Sequence, residues 1–136
     1  MDVGARRIGL AVTDPLGITA QGIETLQRKN KRTDLAALAA IVQKWEITEF
    51  VVGLPLRMSG QESSQSGKIR EFCTWLEKDF GLPVHLWDER LSSVEANRVL
   101  RSTDMSIHKR AAVVDQLAAV LILQSWMQTH PRPPLV

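Results

Sequence analysis

The opening stretch DVGARRIGLAVTDPLGITAQGIETLQ, residues 2–27, decides the fold. Turn-forming residues divide it at Gly4, Gly9, Pro15, Gly17 and Gly22. The apolar pieces between them, residues 8–12 and 17–20, have the length of short β-strands. We therefore predict that the chain begins with an antiparallel meander of strands.

The rest of the chain alternates helices and strands. Thr33 or Asp34 can cap a helix over residues 35–45, whose apolar residues recur at helical spacing. Residues 50–55, FVVGLP, form a short continuous apolar run that is typical of a strand buried on both faces. The remaining predicted elements are a helix over about 68–80 ended by Gly81, a strand over 83–89, and helices over about 92–100 and 112–128.

This element order implies a mixed sheet flanked by helices. Hairpins join antiparallel strands, whereas parallel strands need longer crossovers, which appear only later in the chain. Polar loops at 57–67 and 101–110 separate the later elements. We predict one domain over residues 1–130 and a Pro-rich tail over 131–136, since 136 residues suit a single hydrophobic core. Because Asp2 follows one apolar residue, we also expect residues upstream of Met1 to complete the first strand.

The composition excludes several classes of protein. Hydrophobic residues make up 44% and charged residues 24%, as in ordinary globular domains. No apolar run approaches the roughly 20 residues of a membrane helix, so we predict no membrane association. Cys73 is the only cysteine, which excludes an internal disulfide and favours a cytoplasmic setting. The net charge is only +2, but cations gather at residues 6–7, 28–32 and 108–110, where they could neutralise phosphates.

Acidic residues occupy three places where core packing alone would not favour them. Asp2 lies at the first turn, Asp88 and Glu89 end a predicted strand, and Asp115 is the one charged residue in the apolar last helix. Each also has a simpler explanation: a turn aspartate, an ion pair of Asp88 with Arg90, and an acid near a helix start. The three places together make a shared site the stronger interpretation.

Carboxylates that converge from distant segments can bind the two metal ions of phosphodiester hydrolysis. Alternation along a strand sends Asp88 and Glu89 to opposite faces, so one of them reaches such a site. The longer Glu89 is favoured and Asp88 remains its rival. We predict Asp2, Glu89 and Asp115 as catalytic residues that bind Mg²⁺ or Mn²⁺. Six cations are candidates to bind substrate phosphates: Arg6, Arg7, Arg57, Arg90, Lys109 and Arg110.

The sequence lacks the residue patterns of zinc sites, serine hydrolases and nucleotide-binding loops. The three histidines are far apart in the chain and have no zinc-ligand spacing with Cys73. The chain contains no Gly-x-Ser-x-Gly elbow, no phosphate-binding Gly-Lys-Ser/Thr loop and no dinucleotide-binding glycine motif.

Four motifs follow one another at suitable spacing: DVGARRIG at 2–9, VVGLPL at 51–56, DERLSSVEA at 88–96 and VDQLAA at 114–119. Together they resemble the YqgF/RuvX family of bacterial RNase H-like proteins. The resemblance implies an RNase H-like α/β fold, with a five-stranded mixed sheet of a three-strand antiparallel meander and two parallel strands. It also implies a cytoplasmic, metal-dependent nuclease that uses Asp2, Glu89 or Asp88, and Asp115.

The resemblance further implies a role for this nuclease in maturing the 5′ end of pre-16S rRNA, with Holliday-junction cleavage as the alternative. An actin-like ATPase is less consistent, because 136 residues supply only one of the two domains that close around a nucleotide. A non-catalytic RNA- or ribosome-associated module is disfavoured, because bare carboxylates repel phosphates. The expected partner is structured RNA precursor or branched DNA, bound by a monomer or homodimer.

Overall fold

The computed structural model describes residues 1–92 and 107–131, without the side chains of residues 107–112. The predicted helix near 92–100 and most of the predicted loop at 101–110 therefore lie outside the described residues. The described strands are β1 Asp2–Val3, β2 Arg7–Thr13, β3 Ala20–Gln27, β4 Phe50–Leu54 and β5 Val84–Asp88. The helices are α1 Lys31–Lys44, α2 Ser64–Phe80 and α3 Ile107–Thr129, and a 3₁₀ turn spans Glu89–Leu91.

The strands form the predicted mixed sheet in the order β3-β2-β1-β4-β5. Strands β1, β2 and β3 pair antiparallel, and β4 pairs parallel with β5. Met1 joins the two parts: its amino group donates to the carbonyl oxygen of Val51 at 2.6 Å, and the amide of Gly53 donates to the carbonyl oxygen of Met1 at 3.1 Å. These bonds have the parallel pattern that places Met1 opposite Val52. The chain has the RNase H-like fold.

Alternation along the strands gives the sheet two different faces. On one face Ile8, Leu10 and Val52 are buried in the aliphatic core that includes residues of α1 and α2, such as Leu38 and Leu76. On the other face Val51 packs with residues of α3, including Ala118 and Ile122. Helix α3 therefore packs on one face of the sheet, while the larger buried core lies on the opposite face. Among the described helices, none is long and apolar enough to cross a membrane.

The first and last residues of α1 and α2 are set by capping interactions, which the spacing of apolar residues does not predict. The predicted cap at Thr33 or Asp34 is wrong, because the side chain of Asn30 accepts from the Thr33 amide at 2.9 Å and α1 begins at Lys31. Helix α2 starts at Ser64, earlier than predicted. Its predicted end is confirmed, since Gly81 adopts a left-handed conformation with φ of 64°.

Two other predictions for secondary structure were wrong. Of residues 17–20, which were predicted as a strand of the meander, residues 17–19 belong to the β2–β3 turn and only Ala20 lies in a strand. The carboxylate of Asp14 accepts from the amides of Ile18 at 2.6 Å and Thr19 at 3.2 Å, which fixes this turn before β3 begins at Ala20. Residues 107–110 were predicted as loop, whereas α3 already begins at Ile107.

Candidate active site

Asp2 lies in the sheet between two glycines of neighbouring strands. It pairs with Gly9 of β2, and because Met1 lies opposite Val52, Asp2 lies beside Gly53 of β4. Neighbouring strands are about 4.8 Å apart, so the two glycines stand roughly 10 Å from each other with Asp2 between them. Paired residues point to the same face. The side chain of Asp2, which is 6% exposed, is therefore buried on the α3 face.

Helix α3 passes directly over the first glycine. A Cβ atom built on Gly9 would lie 1.9 Å from the carbonyl oxygen of Asp115 and 2.4 Å from its carbonyl carbon. No side chain fits in that space, so glycine is required for this contact. The backbone of Asp115 is thereby fixed over the strand residue that pairs with Asp2.

Glu89 covers the second glycine. A Cβ atom on Gly53 would lie 2.8 Å from Oε1 of Glu89 and 2.6 Å from Cδ1 of Ile122. The seven helical steps from Asp115 to Ile122 span about 10 Å, which matches two strand spacings. Helix α3 thus crosses the whole row from Gly9 to Gly53. The helix lies close against the sheet along this row, and its small residues Ala118 and Ala119 are 1% and 0% exposed.

The two acids that end β5 have different surroundings. Asp88 is held by its neighbour Arg90, whose Nε and Nη2 donate to Oδ2 of Asp88 at 3.0 and 2.7 Å. These bonds lower the pKa of the Asp88 carboxyl below its usual 3.8. Glu89 is instead 8% exposed and points to the α3 face, against Gly53. The ion pair considered for Asp88 is present, and Glu89 is the acid of this pair that lies near Asp2.

Asp2 and Glu89 share one electrostatic neighbourhood. Asp2 stands beside Gly53 in the sheet, and the carboxylate of Glu89 lies over that same glycine. Burial of both carboxylates makes a charge at this place costly unless neighbouring groups offset it.

Asp115 turns its carboxylate towards the strand below. Nε of Arg7 donates to its Oδ2 at 2.9 Å, and both side chains are partly exposed, at 32% for Arg7 and 20% for Asp115. Arg7, predicted to bind a phosphate, thus contacts a predicted catalytic acid. Within residues 1–92 and 113–131, no three acids, histidines or cysteines stand close enough together to hold a metal ion as a group.

The predicted phosphate-binding cations are spread over several segments. Arg6 and Arg57 are exposed, and Arg90 also donates to the carbonyl oxygen of Met58 at 3.3 Å. The side chains of Lys109 and Arg110 lie outside the described residues. Sequence reasoning noticed Gly9 but missed Gly53. A glycine inside an otherwise β-branched strand is the signal that could have indicated a close approach there.

The fold, with Asp2 in β1, Glu89 just after β5 and Asp115 in α3, is that of an RNase H-like protein. More specifically, the chain belongs to the RuvX family, whose model is described as Holliday junction resolvase and matches residues 1–129. The family recognised from the four motifs is thereby confirmed.

Similar proteins include three that carry the name "Putative pre-16S rRNA nuclease". The protein of Koribacter versatilis is 66% identical over 94% of this chain and 84% of its own length. That of Myxococcus xanthus is 48% identical over 98% of this chain and 88% of its own. That of Moorella thermoacetica is 47% identical over 93% of this chain and 91% of its own. The family description and these names agree on a nuclease.

Proposed function

We propose that this protein is an endonuclease that hydrolyses nucleic acid phosphodiesters with the help of divalent metal ions. The observation that carries the proposal is the row Gly9–Asp2–Gly53, in which a buried aspartate lies between two glycines covered by Asp115 and Glu89. Asp2, Glu89 and Asp115 come from distant segments of the chain and lie along this row on one face of the sheet. A purely structural sheet would place apolar side chains at these positions, as it does on the opposite face.

The donors of this site suit Mg²⁺ or Mn²⁺. Asp2, Glu89 and Asp115 would hold such an ion through carboxylate oxygens, which hard divalent ions prefer. Such ions, when bound, activate water and neutralise charge on the leaving oxygen. The role of the protein is to hold the carboxylates in place. Strand β1 fixes Asp2, and the missing side chain of Gly53 leaves space for Glu89. Gly9 allows α3 to bring Asp115 close to the sheet.

Arg7 is proposed to position Asp115 as well as to bind phosphate. Its guanidinium has donors beyond the one used at Asp115, so it can hold that carboxylate and still face a phosphate oxygen. Arg6, Arg57, Arg90, Lys109 and Arg110 are the other proposed phosphate contacts.

The proposed substrate is the 5′ region of pre-16S rRNA, processed in the cytoplasm. The names of the three relatives favour this assignment. The description of the family model favours a second candidate, the Holliday junction, which a resolvase would cut in pairs as a two-fold dimer. Both substrates offer the same phosphodiester, so the acids do not distinguish them.

The test is cleavage of an end-labelled pre-16S rRNA fragment and of a four-way DNA junction, each with Mg²⁺ or Mn²⁺. We expect metal-dependent cutting of the RNA. Glu89→Gln and Asp115→Asn should each reduce the rate roughly 10²- to 10³-fold, because each removes a carboxylate of the site.

Asp88→Asn is the matched control, since it removes a neighbouring carboxylate that Arg90 holds away from the site. It should retain most of the activity. Loss of cutting in Asp88→Asn together with full activity in Glu89→Gln would reverse the assignment of the two acids. Cutting of the junction alone would replace the RNA substrate with DNA. A folded wild type that binds RNA without cutting it would favour the non-catalytic module.

A further inference from the structure

A cluster of cations lies at the sheet edge that also carries the acids. Residues 28–32, Arg-Lys-Asn-Lys-Arg, connect β3 to α1, and we call them the basic segment. Strands β1 and β3 both run antiparallel to β2, so both end at the same edge. β4 and β5 run in the same direction as β1, which puts Glu89 at this edge too. The basic segment therefore starts where the β1–β2 turn and the acids are found.

Arg28 connects the basic segment directly to the turn that follows Asp2. Its amide donates to the carbonyl oxygen of Arg6 at 2.8 Å, and its Nη1 donates to the carbonyl oxygen of Gly4 at 2.7 Å. Gly4 is two residues from Asp2, a distance of at most about 7 Å along the chain. A strand of nucleic acid that leaves the acids across this turn reaches the basic segment next.

The backbone of the basic segment is held in place. The buried carboxylate of Asp34 accepts from the amide of Lys29 at 2.9 Å, and Asn30 caps α1. The guanidinium carbon of Arg28 lies 5.5 Å from the centre of the Phe72 ring. Nζ of Lys31 lies 4.5 Å from the centre of the Trp75 ring in α2. Such fixed cations lose less entropy when they bind than cations on a loose loop.

The position of these charges is unfavourable for the helix itself. The first turn of an α-helix is the positive end of its dipole, where acids stabilise and cations destabilise. Lys29, Lys31 and Arg32 are nevertheless exposed there, and the single acid of that turn, Asp34, is buried below them. Lys29 and Arg32 extend into solvent near this positive end, where a ligand of opposite charge would compensate for their unfavourable position.

We infer that the basic segment binds backbone phosphates of the nucleic acid strand whose scissile bond lies at the acids. This inference rests on the proposed nuclease function and extends the substrate contact across the β1–β2 turn onto the face of α1 and α2. Lys29 and Arg32 are the main contacts, because their exposed side chains extend from a fixed backbone. The contact is with phosphates and not with bases, so it is independent of sequence.

The experiment compares two double variants of the full chain. Lys29→Gln with Arg32→Gln removes two cations at the start of α1. Lys44→Gln with Lys78→Gln removes two exposed cations at the opposite ends of α1 and α2, which gives the same change in net charge. Binding of a fluorescent single-stranded RNA is measured by anisotropy at several salt concentrations in EDTA, so that no cleavage can occur.

For Lys29→Gln with Arg32→Gln we expect an affinity at least several-fold below that of the wild type. The slope of log affinity against log salt should fall by roughly 1.4, since each lost phosphate contact on a single strand is worth about 0.7. The melting temperature should stay the same or rise slightly, because two cations leave the positive end of a helix. The control pair should keep the affinity and the slope of the wild type.

Wild-type affinity and slope in the first variant would overturn the inference, as would an equal loss in the control or a wild type that does not bind the RNA. Cleavage is measured separately with Mg²⁺ restored. If the wild type binds RNA through the basic segment yet cuts no substrate, the nuclease function fails while the phosphate contact stands. If it cuts normally and the first variant binds and cuts like the wild type, only the phosphate contact fails.

Discussion

The two faces of the sheet are built from alternate residues of the same strands but carry different kinds of side chain. On the α1/α2 face, Ile8, Leu10 and Val52 fill an aliphatic core. On the α3 face, the same strands present Gly9, Asp2 and Gly53, which leave space for a helix and for carboxylates. Large side chains thus fill the core on one face. On the other face, glycines leave room for α3 and Glu89 around the buried Asp2.

Asp2 and Val3 show this division most clearly. They are adjacent in β1, each is 6% exposed, and they point to opposite faces. Exposure alone would rank them as equivalent core residues. The difference between them is the surrounding face: Val3 belongs to the aliphatic core, whereas Asp2 stands in the row of glycines under α3.

The largest expected effect separates these two neighbours. Asp2→Asn should lower the cleavage rate roughly 10³-fold or more, because it removes the central carboxylate of the site. Val3→Ala should lower the free energy of unfolding by about 1–3 kcal/mol through the cavity it leaves, with cleavage per folded molecule unchanged. Both are measured by cleavage kinetics and urea unfolding. Full activity in a folded Asp2→Asn protein would remove Asp2 from the proposed mechanism.

The next effect concerns the contact between α3 and the sheet. Gly9→Ala should lower the free energy of unfolding by about 1–3 kcal/mol or more, because its Cβ would overlap the Asp115 carbonyl and push the helix away. Gly67→Ala is the control on the other side of the molecule: it is exposed in α2 with no atom within 4 Å of the added Cβ. There we expect a gain of about 0.5–1 kcal/mol. Equal stabilities of the two variants would mean that α3 does not lie on Gly9.

The smallest effect concerns the acid that faces away from the site. Arg90 lowers the pKa of Asp88 below 3.8, so the pair stabilises the folded state above about pH 4. This contribution, at most about 1 kcal/mol for a largely solvated pair, is lost as the pH falls through the lowered pKa of the folded state. Asp88→Asn should therefore be slightly less stable than the wild type at pH 7, and the difference should vanish at low pH in urea unfolding. A difference that grows in acid would contradict this sign.

The element types were largely predictable because strand and helix periods differ. The meander, the buried strand FVVGL and the three described helices follow from apolar patterns and from Gly81. The first residues of helices were harder to predict from the sequence. Asn30 caps α1 where Thr33 or Asp34 was expected, because any of these short polar side chains can act as an N-cap. Strand β3 was misplaced because its exposed neighbours, such as Ile18 at 70%, are as apolar as a buried strand.

The candidate site was predictable in its residue types but not in its contacts. Acids at strand ends and in an apolar helix are visible in the sequence. The pairing of Arg7 with Asp115 and the space over Gly53 depend on how α3 crosses the sheet, which no local pattern encodes. For the same reason the link from Arg28 to Gly4 was not foreseen.

The crossing of α3 also has a consequence for the order of folding. The hydrogen bond between Arg7 and Asp115 joins residues 108 positions apart, whereas the β2–β3 hairpin pairs close neighbours. Contacts between residues so far apart in sequence form late, because the entropy cost of closing a large loop comes before the contacts contribute any stability. We expect the meander to form while the rest of the chain is still emerging from the ribosome. Because Asp115 is carried by α3, it can join Asp2 and Glu89 only after every described strand of the sheet has been synthesised.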